Sequence, residues 1–292
     1  ACSDNSSRNL DPIDAVDATG IALEPYEVLR LPLTDLAAAE PELAIEVQRT
    51  RGALSAVVTD AFTGTTSGSE VLGASAAPAR EQLVGGVVAG TGGKSLLLLN
   101  PGDQTARVDV EAIGAEGTFA VDDLQDLAVE PGSYREVAVP GSVGSGPQAF
   151  RVVGDRPVSA SLRARSGDAD HQVAEVMQPL DGSAIVPVDL GRSVSAPQLV
   201  LTAPQGDATV EVEVLDAQMT SLDTTSVDVA AGTTQSVGSV ADGVEDAAYV
   251  VVRGRGDVVV TARYQRGDLV GSLAVVATPV SVPAPSVRRA DG

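Results

Sequence analysis

The sequence of 292 residues is strongly acidic and poor in aromatic side chains, which excludes several classes of protein. Its 19 basic and 40 acidic residues give a net charge of −21, and such a field repels nucleic acids and anionic lipid surfaces. Hydrophobic residues make up 43% of the chain and aromatic residues 2%, so any core consists largely of Val, Leu, Ile and Ala.

The first nine residues, 1–9, are polar, and we predict a tether or a remnant there rather than part of a domain. Cys2 is the only cysteine, so no intrachain disulfide can form. Cys2 is the candidate lipid-attachment residue, although Ala1 before it argues against a processed lipoprotein terminus. The other interpretation is a cysteine whose partner lay upstream. We expect a membrane partner only through an anchor outside this sequence.

A short motif recurs at intervals of roughly one hundred residues, which indicates tandem repeats. It reads "IALEPYEVLRLPL" at 21–33, "LAVEPGSYREVAV" at 127–139 and "VDVAAGTTQSV" at 227–237. The similarity continues downstream, where "AFRVVGDRPVSASLRARSGD" at 149–168 parallels "AYVVVRGRGDVVVTARYQRGD" at 248–268. In that alignment, Phe150 matches Tyr249.

The repeats divide the chain into three units. We predict a partial unit 1 at 10–80, a complete unit 2 at 81–181 and a complete unit 3 at 182–284, followed by a disordered tail at 285–292. Unit 1 lacks the strands that precede the shared motif in the other two units. The only helical signal, "LTDLAAAEPEL" at 33–43, predicts a loop with one helical turn and Thr34 as its N-cap.

Alternation of apolar and polar residues predicts short strands. In "ARVDVEA" at 106–112, Val108 and Val110 face one side of a strand and the charged residues face the other. Turn signals separate such segments; they include Asn100-Pro101-Gly102-Asp103, Pro131-Gly132 and Gly154-Asp155. About eight strands per unit predict an all-β fold of tandem immunoglobulin-like antiparallel β-sandwich repeats. The Cys–Trp–Cys core of immunoglobulins is absent, which leaves the topology open.

These motifs resemble a known family. The run "LLLLNPGDQTARVDVEAIGAEG", followed by "LAVEPGSYREVAV" and "FRVVGDRPVSASLRA", is similar to actinobacterial secreted or membrane-anchored proteins classed as a domain of unknown function. The resemblance covers about residues 20 to 285. It implies a β-sandwich fold and an extracellular or cell-envelope location, and it supplies no catalytic residues.

The only lysine, Lys94, lies in "GVVAGTGGKSLLLLN" at 86–100, which resembles the end of a phosphate-binding loop. Such a loop requires a glycine at position 88, where this chain has Val88, and it must open a helix. Lys94 instead opens an apolar run typical of a strand. We therefore predict a glycine-rich hairpin loop and no nucleotide.

Polar candidates for catalysis or metal binding are weak. The single histidine, His171, is predicted to be an exposed turn residue before a strand, because Gly271 takes the matching position in unit 3. Acidic clusters predict a solvated surface, with calcium binding and glycoside hydrolysis as alternatives. They comprise Glu40 and Glu42; Asp122, Asp123 and Asp126; and Asp242, Glu245 and Asp246. We predict no catalytic residue, cofactor or metal site.

The sequence predicts a non-enzymatic structural or adaptor array in the cell envelope, with an envelope protein or wall polysaccharide as its partner. The alternative is a carbohydrate-binding accessory module, which needs exposed aromatic rings for stacking. Tyr134 and Tyr264 are the candidate platform, whereas Phe150 and Tyr249 are predicted to be core. A carboxylate hydrolase is a third hypothesis, and the repeats argue against it.

Overall fold

The computed structural model shows an antiparallel, almost entirely β protein, as the sequence predicts. It describes the following residues: 20–36, 45, 47–62, 68–73, 76–88, 93–166, 170–188, 195–267 and 269–277. No helix among them is long and apolar enough to cross a membrane. The predicted tether at 1–9 and tail at 285–292 lie outside the described residues, and the limits of the three units stay predictions.

Unit 2 is a sandwich of two sheets that share one long strand. Its strands are β3 (Ala79–Val88), β4 (Lys94–Asn100), β5 (Ala106–Gly114), β6 (Gly117–Ala120), β7 (Leu127–Val129), β8 (Ser133–Ala138), β9 (Pro147–Ser166) and β10 (Asp170–Ala174). The first half of β9 lies between β3 and β5, and its second half lies between β4 and β10. Strands β6 and β7 pair with β5, and β8 pairs with β4.

Unit 3 repeats this topology with separate strands. They are β11 (Gly182–Pro187), β12 (Gln198–Ala203), β13 (Ala208–Leu215), β14 (Ser221–Val229), β15 (Thr233–Ser239), β16 (Tyr249–Arg255), β17 (Val259–Arg266) and β18 (Leu269–Val275). One sheet has the order β11-β16-β13-β14 and the other β15-β12-β17-β18. Strands β16 and β17 take the places of the two halves of β9, which confirms the tandem repeat.

Units 2 and 3 each have their own aliphatic core, built by the alternation that the sequence shows. In β5, Val108 and Val110 are fully buried, while the alternating residues Arg107 and Asp109 are exposed. Burial of one valine side chain stabilises the fold by about 1.5–3 kcal/mol before entropy is counted. Phe150 is the largest fully buried side chain of the unit 2 core.

The prediction that Phe150 and Tyr249 occupy equivalent core positions is wrong by one residue. Phe150 pairs with Ala112 in the inner layer, and Val250 occupies the equivalent place opposite Val214. Tyr249 therefore points to the other face of its sheet and is half-buried. A one-residue slip in a strand moves every side chain to the opposite face, which is why the alignment misplaced this tyrosine.

The predicted turns at Asn100–Asp103 and Pro131-Gly132 are confirmed, and the one at Gly154-Asp155 is corrected. Ser133 N–H donates to Glu130 O at 3.2 Å across the Pro-Gly turn, where Gly132 has φ +59°. At Gly154-Asp155 the chain does not reverse. Residues 154–157 form a bulge inside β9, and on β3 only Arg80 lies opposite them. At this bulge β9 passes from one sheet of the sandwich to the other.

The described part of unit 1 contains a hairpin of β1 (Val58–Phe62) and β2 (Gly68–Leu72) and the one-turn helix α1 (Leu33–Leu36). The predicted helical turn is confirmed, but Thr34 lies inside it rather than at its N-cap. Residues 21–32 do not form the strand that their repeat partners form. No neighbouring strand is described beside them, and an isolated strand has no partner for its backbone groups.

Candidate functional site

Units 2 and 3 meet in a buried, apolar interface. Leu83, Ile113, Ala149 and Met177 of unit 2 pack with Val259 of unit 3 in a cluster that is separate from both sandwich cores. These side chains lie on the outer faces of their sheets, which in a single sandwich would contact water. The interface therefore holds the two units in a defined arrangement.

A hydrogen bond and a close backbone approach accompany this cluster. The Thr261 hydroxyl donates to Gly85 O at 3.3 Å and lies 3.1 Å from the Met177 sulfur. A Cβ at Gly86 would lie 2.2 Å from the Thr261 hydroxyl oxygen, and Gly86 has φ +78°. Only glycine meets both conditions, so the "GG" of β3 is a requirement of the interface.

Unit 3 contributes a strand that is buried on both faces. Val200 and Thr202 of β12 point away from the unit 3 core and are 1% and 0% exposed, because this strand contacts β3 and β9 of unit 2. The hydroxyls of Thr202 and Thr234 satisfy each other at 2.9 Å. At the edge of the interface, the Thr118 hydroxyl donates to Gly232 O at 3.1 Å.

A second feature is a cleft of about 250 Å³ at one corner of unit 2, which we call the corner cleft. It is lined by the turn 100–104, Arg80, Arg156 and Pro157. It lies where β9 passes between the sheets, beside the turn that joins β4 to β5.

The turn at 100–104 is held by the Asn100 side chain. Its amide nitrogen donates to Gln104 O at 2.8 Å and Val129 O at 2.9 Å, and its amide oxygen accepts from Gly102 N–H at 3.0 Å. Asn100 is 1% exposed. All three bonds lie within the fold, so Asn100 builds one wall of the corner cleft.

The two arginines of the corner cleft differ from the ion-paired arginines nearby. Arg107 pairs with Asp126 at 3.0 Å, and Arg151 pairs with Glu81 at 2.8 Å. Neither Arg80 nor Arg156 forms an ion pair with a described residue. The cleft thus holds two guanidinium groups that make no ion pair with the described residues.

The ammonium group of Lys94 is bound within the fold. It opens β4, as predicted, and is 7% exposed. Its ammonium group donates to the Gln148 side-chain oxygen and, at 3.3 Å, to Gly144 O. The ammonium nitrogen lies 6.0 Å from the centre of the Phe150 ring. Burial lowers the pKa of Lys94 to about 8. The preceding residues 89–92 lie outside the described residues, and the absence of a nucleotide stays a prediction.

Comparison with known protein families identifies the family of this chain. Residues 11–239 match the "Family of unknown function (DUF5719)". The chain belongs to this family. The resemblance to a domain of unknown function is thereby confirmed, and the actinobacterial origin stays an expectation. No curated protein matches the chain.

Solved structures with partial similarity to this DUF5719 chain are much larger enzymes. A glycosyl hydrolase family 2 member from Bacteroides cellulosilyticus is 12% identical, with a TM-score of 0.16 over 66% of this chain and 27% of that one. A beta-glucuronidase from glycoside hydrolase family 2 is 10% identical, with a TM-score of 0.18 over 66% and 23%. The chain thus spans about a quarter of their length, and these TM-scores are too low to support an inference.

The environment of His171 corrects its predicted position. His171 lies within β10 opposite Arg165 and is half-buried, rather than exposed in a turn. The equivalent place in unit 3, opposite Gln265, is Val270 rather than Gly271. Among the described residues, no group of three or more His, Cys, Asp or Glu side chains is placed to share a metal ion.

Acidic residues of the predicted clusters take part in local structure. Asp126 pairs with Arg107, and its N–H donates to the Asp109 carboxylate at 2.8 Å. Asp122 and Asp123 begin a short 3-10 turn. Asp242, Glu245 and Asp246 lie in the loop between β15 and β16. Cys2, Glu40 and Glu42 lie outside the described residues.

The predicted aromatic platform does not form as a pair. Tyr264 is 5% exposed, and its hydroxyl donates to Pro187 O at 2.8 Å, so the expectation of partial exposure is wrong. Neighbouring residues of a strand face opposite sides, and Arg263 before it faces outward in β17, so the sequence pattern could have predicted that Tyr264 faces inward. Tyr134 is half-buried on β8.

Proposed function

We propose that this chain is a non-enzymatic protein of the cell envelope that acts as a structural or adaptor array of β-sandwich units. The observation that carries the proposal is the buried interface between units 2 and 3. Interfaces between domains that move freely are more polar than this cluster of Leu83, Ile113, Ala149, Met177 and Val259. An array held in this way presents loops and sheet faces at fixed separations, as a spacer or adaptor requires.

The local environments of the chemical candidates favour this function over hydrolysis. A glycoside hydrolase needs two carboxyl groups about 5–10 Å apart across a substrate cleft. Asp126 is instead tied to Arg107 on the outer surface of β5, and the corner cleft contains one carboxylate, Asp103. The sequence-based argument from the repeats points the same way.

The alternative function, a carbohydrate-binding accessory module, loses part of its support. Stacking on a sugar ring requires an exposed aromatic face, and Tyr264 is turned into the unit 3 core. The corner cleft in unit 2 favours some binding role, with arginine rather than an aromatic ring as the contact.

The test is to locate the native protein and its neighbours. One batch of cells is fractionated into medium, membrane, wall and cytosol. A second batch of intact cells is treated with an amine- and carboxylate-reactive cross-linker, and the products are identified by mass spectrometry. We expect the chain in the envelope or medium, cross-linked to a reproducible envelope protein. Recovery in the cytosol, or turnover of wall glycan by the purified chain, would contradict the proposal.

A further inference from the structure

We infer that the corner cleft of unit 2 is a binding site for a small oxyanion, a phosphate or carboxylate group. Its volume of about 250 Å³ is below the roughly 300–1,000 Å³ of sites for drug-sized ligands. A single charged group, or one acidic sugar unit, fits this size better than a nucleotide.

The charge in the cleft supports an anionic ligand. Arg80 and Arg156 line it together with one carboxylate, Asp103, so it is locally basic on a chain with a net charge of −21. A guanidinium group offers five N–H donors and no acceptor. Its flat fork matches a carboxylate or phosphate through paired hydrogen bonds, which makes these oxyanions the matching ligand class.

Unit 3 provides an internal comparison, because the positions equivalent to Arg80 and Arg156 hold no arginine there. The register places Ala79 opposite Val158 in unit 2, and Leu180 N–H donates to Val258 O in unit 3 at 2.8 Å. On the other side of the bulge, Glu81 pairs with Val153 and Ser183 pairs with Arg253, so position 80 corresponds to Asp181 or Gly182.

By the same register, Arg156 corresponds to Gly256. A Cβ at Gly256 would lie 2.9 Å from Asp207 O, so the unit 3 corner has no room for an arginine side chain. The sandwich of unit 3 thus folds without an arginine at either position. The arginines of unit 2 are consequently not a requirement of the fold.

One wall of the cleft is also preorganised. Asn100 fixes the turn 100–104 through three hydrogen bonds, and Gly132 N–H donates to Gly102 O at 3.2 Å. Arg156 is half-buried and extends from the bulge of β9. A ligand therefore meets one wall, the turn 100–104, that is already positioned, which lowers the entropic cost of binding.

The experiment is isothermal titration calorimetry of the full chain at low ionic strength with two probes, inorganic phosphate and glucuronate. We expect one probe to bind with 1:1 stoichiometry, and its identity distinguishes a phosphate from a carboxylate source. Arg80→Gln and Arg156→Gln are each expected to weaken binding roughly tenfold, because each removes a charge-assisted contact. Asp103→Asn is expected to strengthen binding several-fold, because it removes the opposing charge.

The matched control is Arg255→Gln, since Arg255 is an exposed arginine at the same corner of unit 3. It changes the net charge equally and is expected to leave affinity within about twofold. Thermal unfolding verifies that all variants are folded. The inference is overturned if neither probe binds the wild-type chain, if both cleft variants bind as the wild type does, or if Arg255→Gln weakens binding equally.

Discussion

At the scale of single residues, Lys94 gives the stability of the protein a pH dependence. Burial lowers its pKa from 10.5 to about 8. Between these values the unfolded chain holds a proton that the folded chain has released, so the free energy of unfolding rises with pH. The full rise is about 3 kcal/mol. Urea unfolding between pH 8 and 9.5 follows the first part of this rise, up to about 2 kcal/mol, and Lys94→Met is expected to flatten the slope. An equal slope in the variant would show that another group titrates.

Tyr264 acts in the opposite direction at higher pH. Burial raises its pKa from 10.0 to about 12, so the folded chain keeps a proton that the unfolded chain loses. The stabilisation is complete below pH 10 and is lost as the pH rises towards 12. Tyr264→Phe removes the bond to Pro187 O and is expected to cost about 1 kcal/mol at neutral pH. Unfolding of both proteins at pH 7 and 11 checks this. A decline of the same size in the phenylalanine variant would refute it.

The sequence contains some of these residue-level features and hides others. Lys94 shares its alternation with Leu96 and Leu98, so its inward direction could be predicted. The cleft arginines could not be found this way, because Arg80 and Arg156 approach each other only through the bulge of β9. A bulge changes which residues are neighbours without changing the hydrophobic pattern.

At the scale of elements, β3 depends on the glycine pair at its C-terminal half. Gly86→Ala would place a Cβ 2.2 Å from the Thr261 oxygen at φ +78°. We expect a loss of about 3 kcal/mol, the sum of left-handed strain and overpacking. The control is Gly238→Ala on β15, where nothing lies within 4 Å and the expected change is below about 0.5 kcal/mol. Chemical denaturation compares the two, and equal midpoints would contradict the assigned role of Gly86.

Most strands could be predicted from alternation, as in β5 and β13, because one face of each is buried and the other is exposed or half-buried. The single strand β9 was not predicted, since "GDRP" reads as a turn. The bulge at 154–157 lets one strand serve both sheets without a chain reversal. Residues 21–32 show the opposite failure, because a strand-like motif does not form a strand without a partner.

At the scale of the whole molecule, the tandem array could be predicted from the repeats, but the packing of unit on unit could not. The sequence nevertheless contains a pattern that indicates this packing. The runs Leu199-Val200-Leu201 and Val258-Val259-Val260 are apolar without alternation, which indicates strands buried on both faces. What covers the outer face depends on where the neighbouring unit docks, and a strand pattern does not specify that.

A charge placed in the interface tests whether the two units act as one body. Val259 is 1% exposed and packs only in the inter-unit cluster, so Val259→Asp puts an unpaired carboxylate there while both sandwich cores stay intact. Burial of such a charge is costly, and the interface should open to hydrate it. We expect a larger radius of gyration by small-angle X-ray scattering and two unfolding transitions. The control is Ile185→Asp, because Ile185 is 53% exposed on β11. A Val259→Asp protein with unchanged scattering and one transition would mean that the units are coupled by contacts other than this cluster.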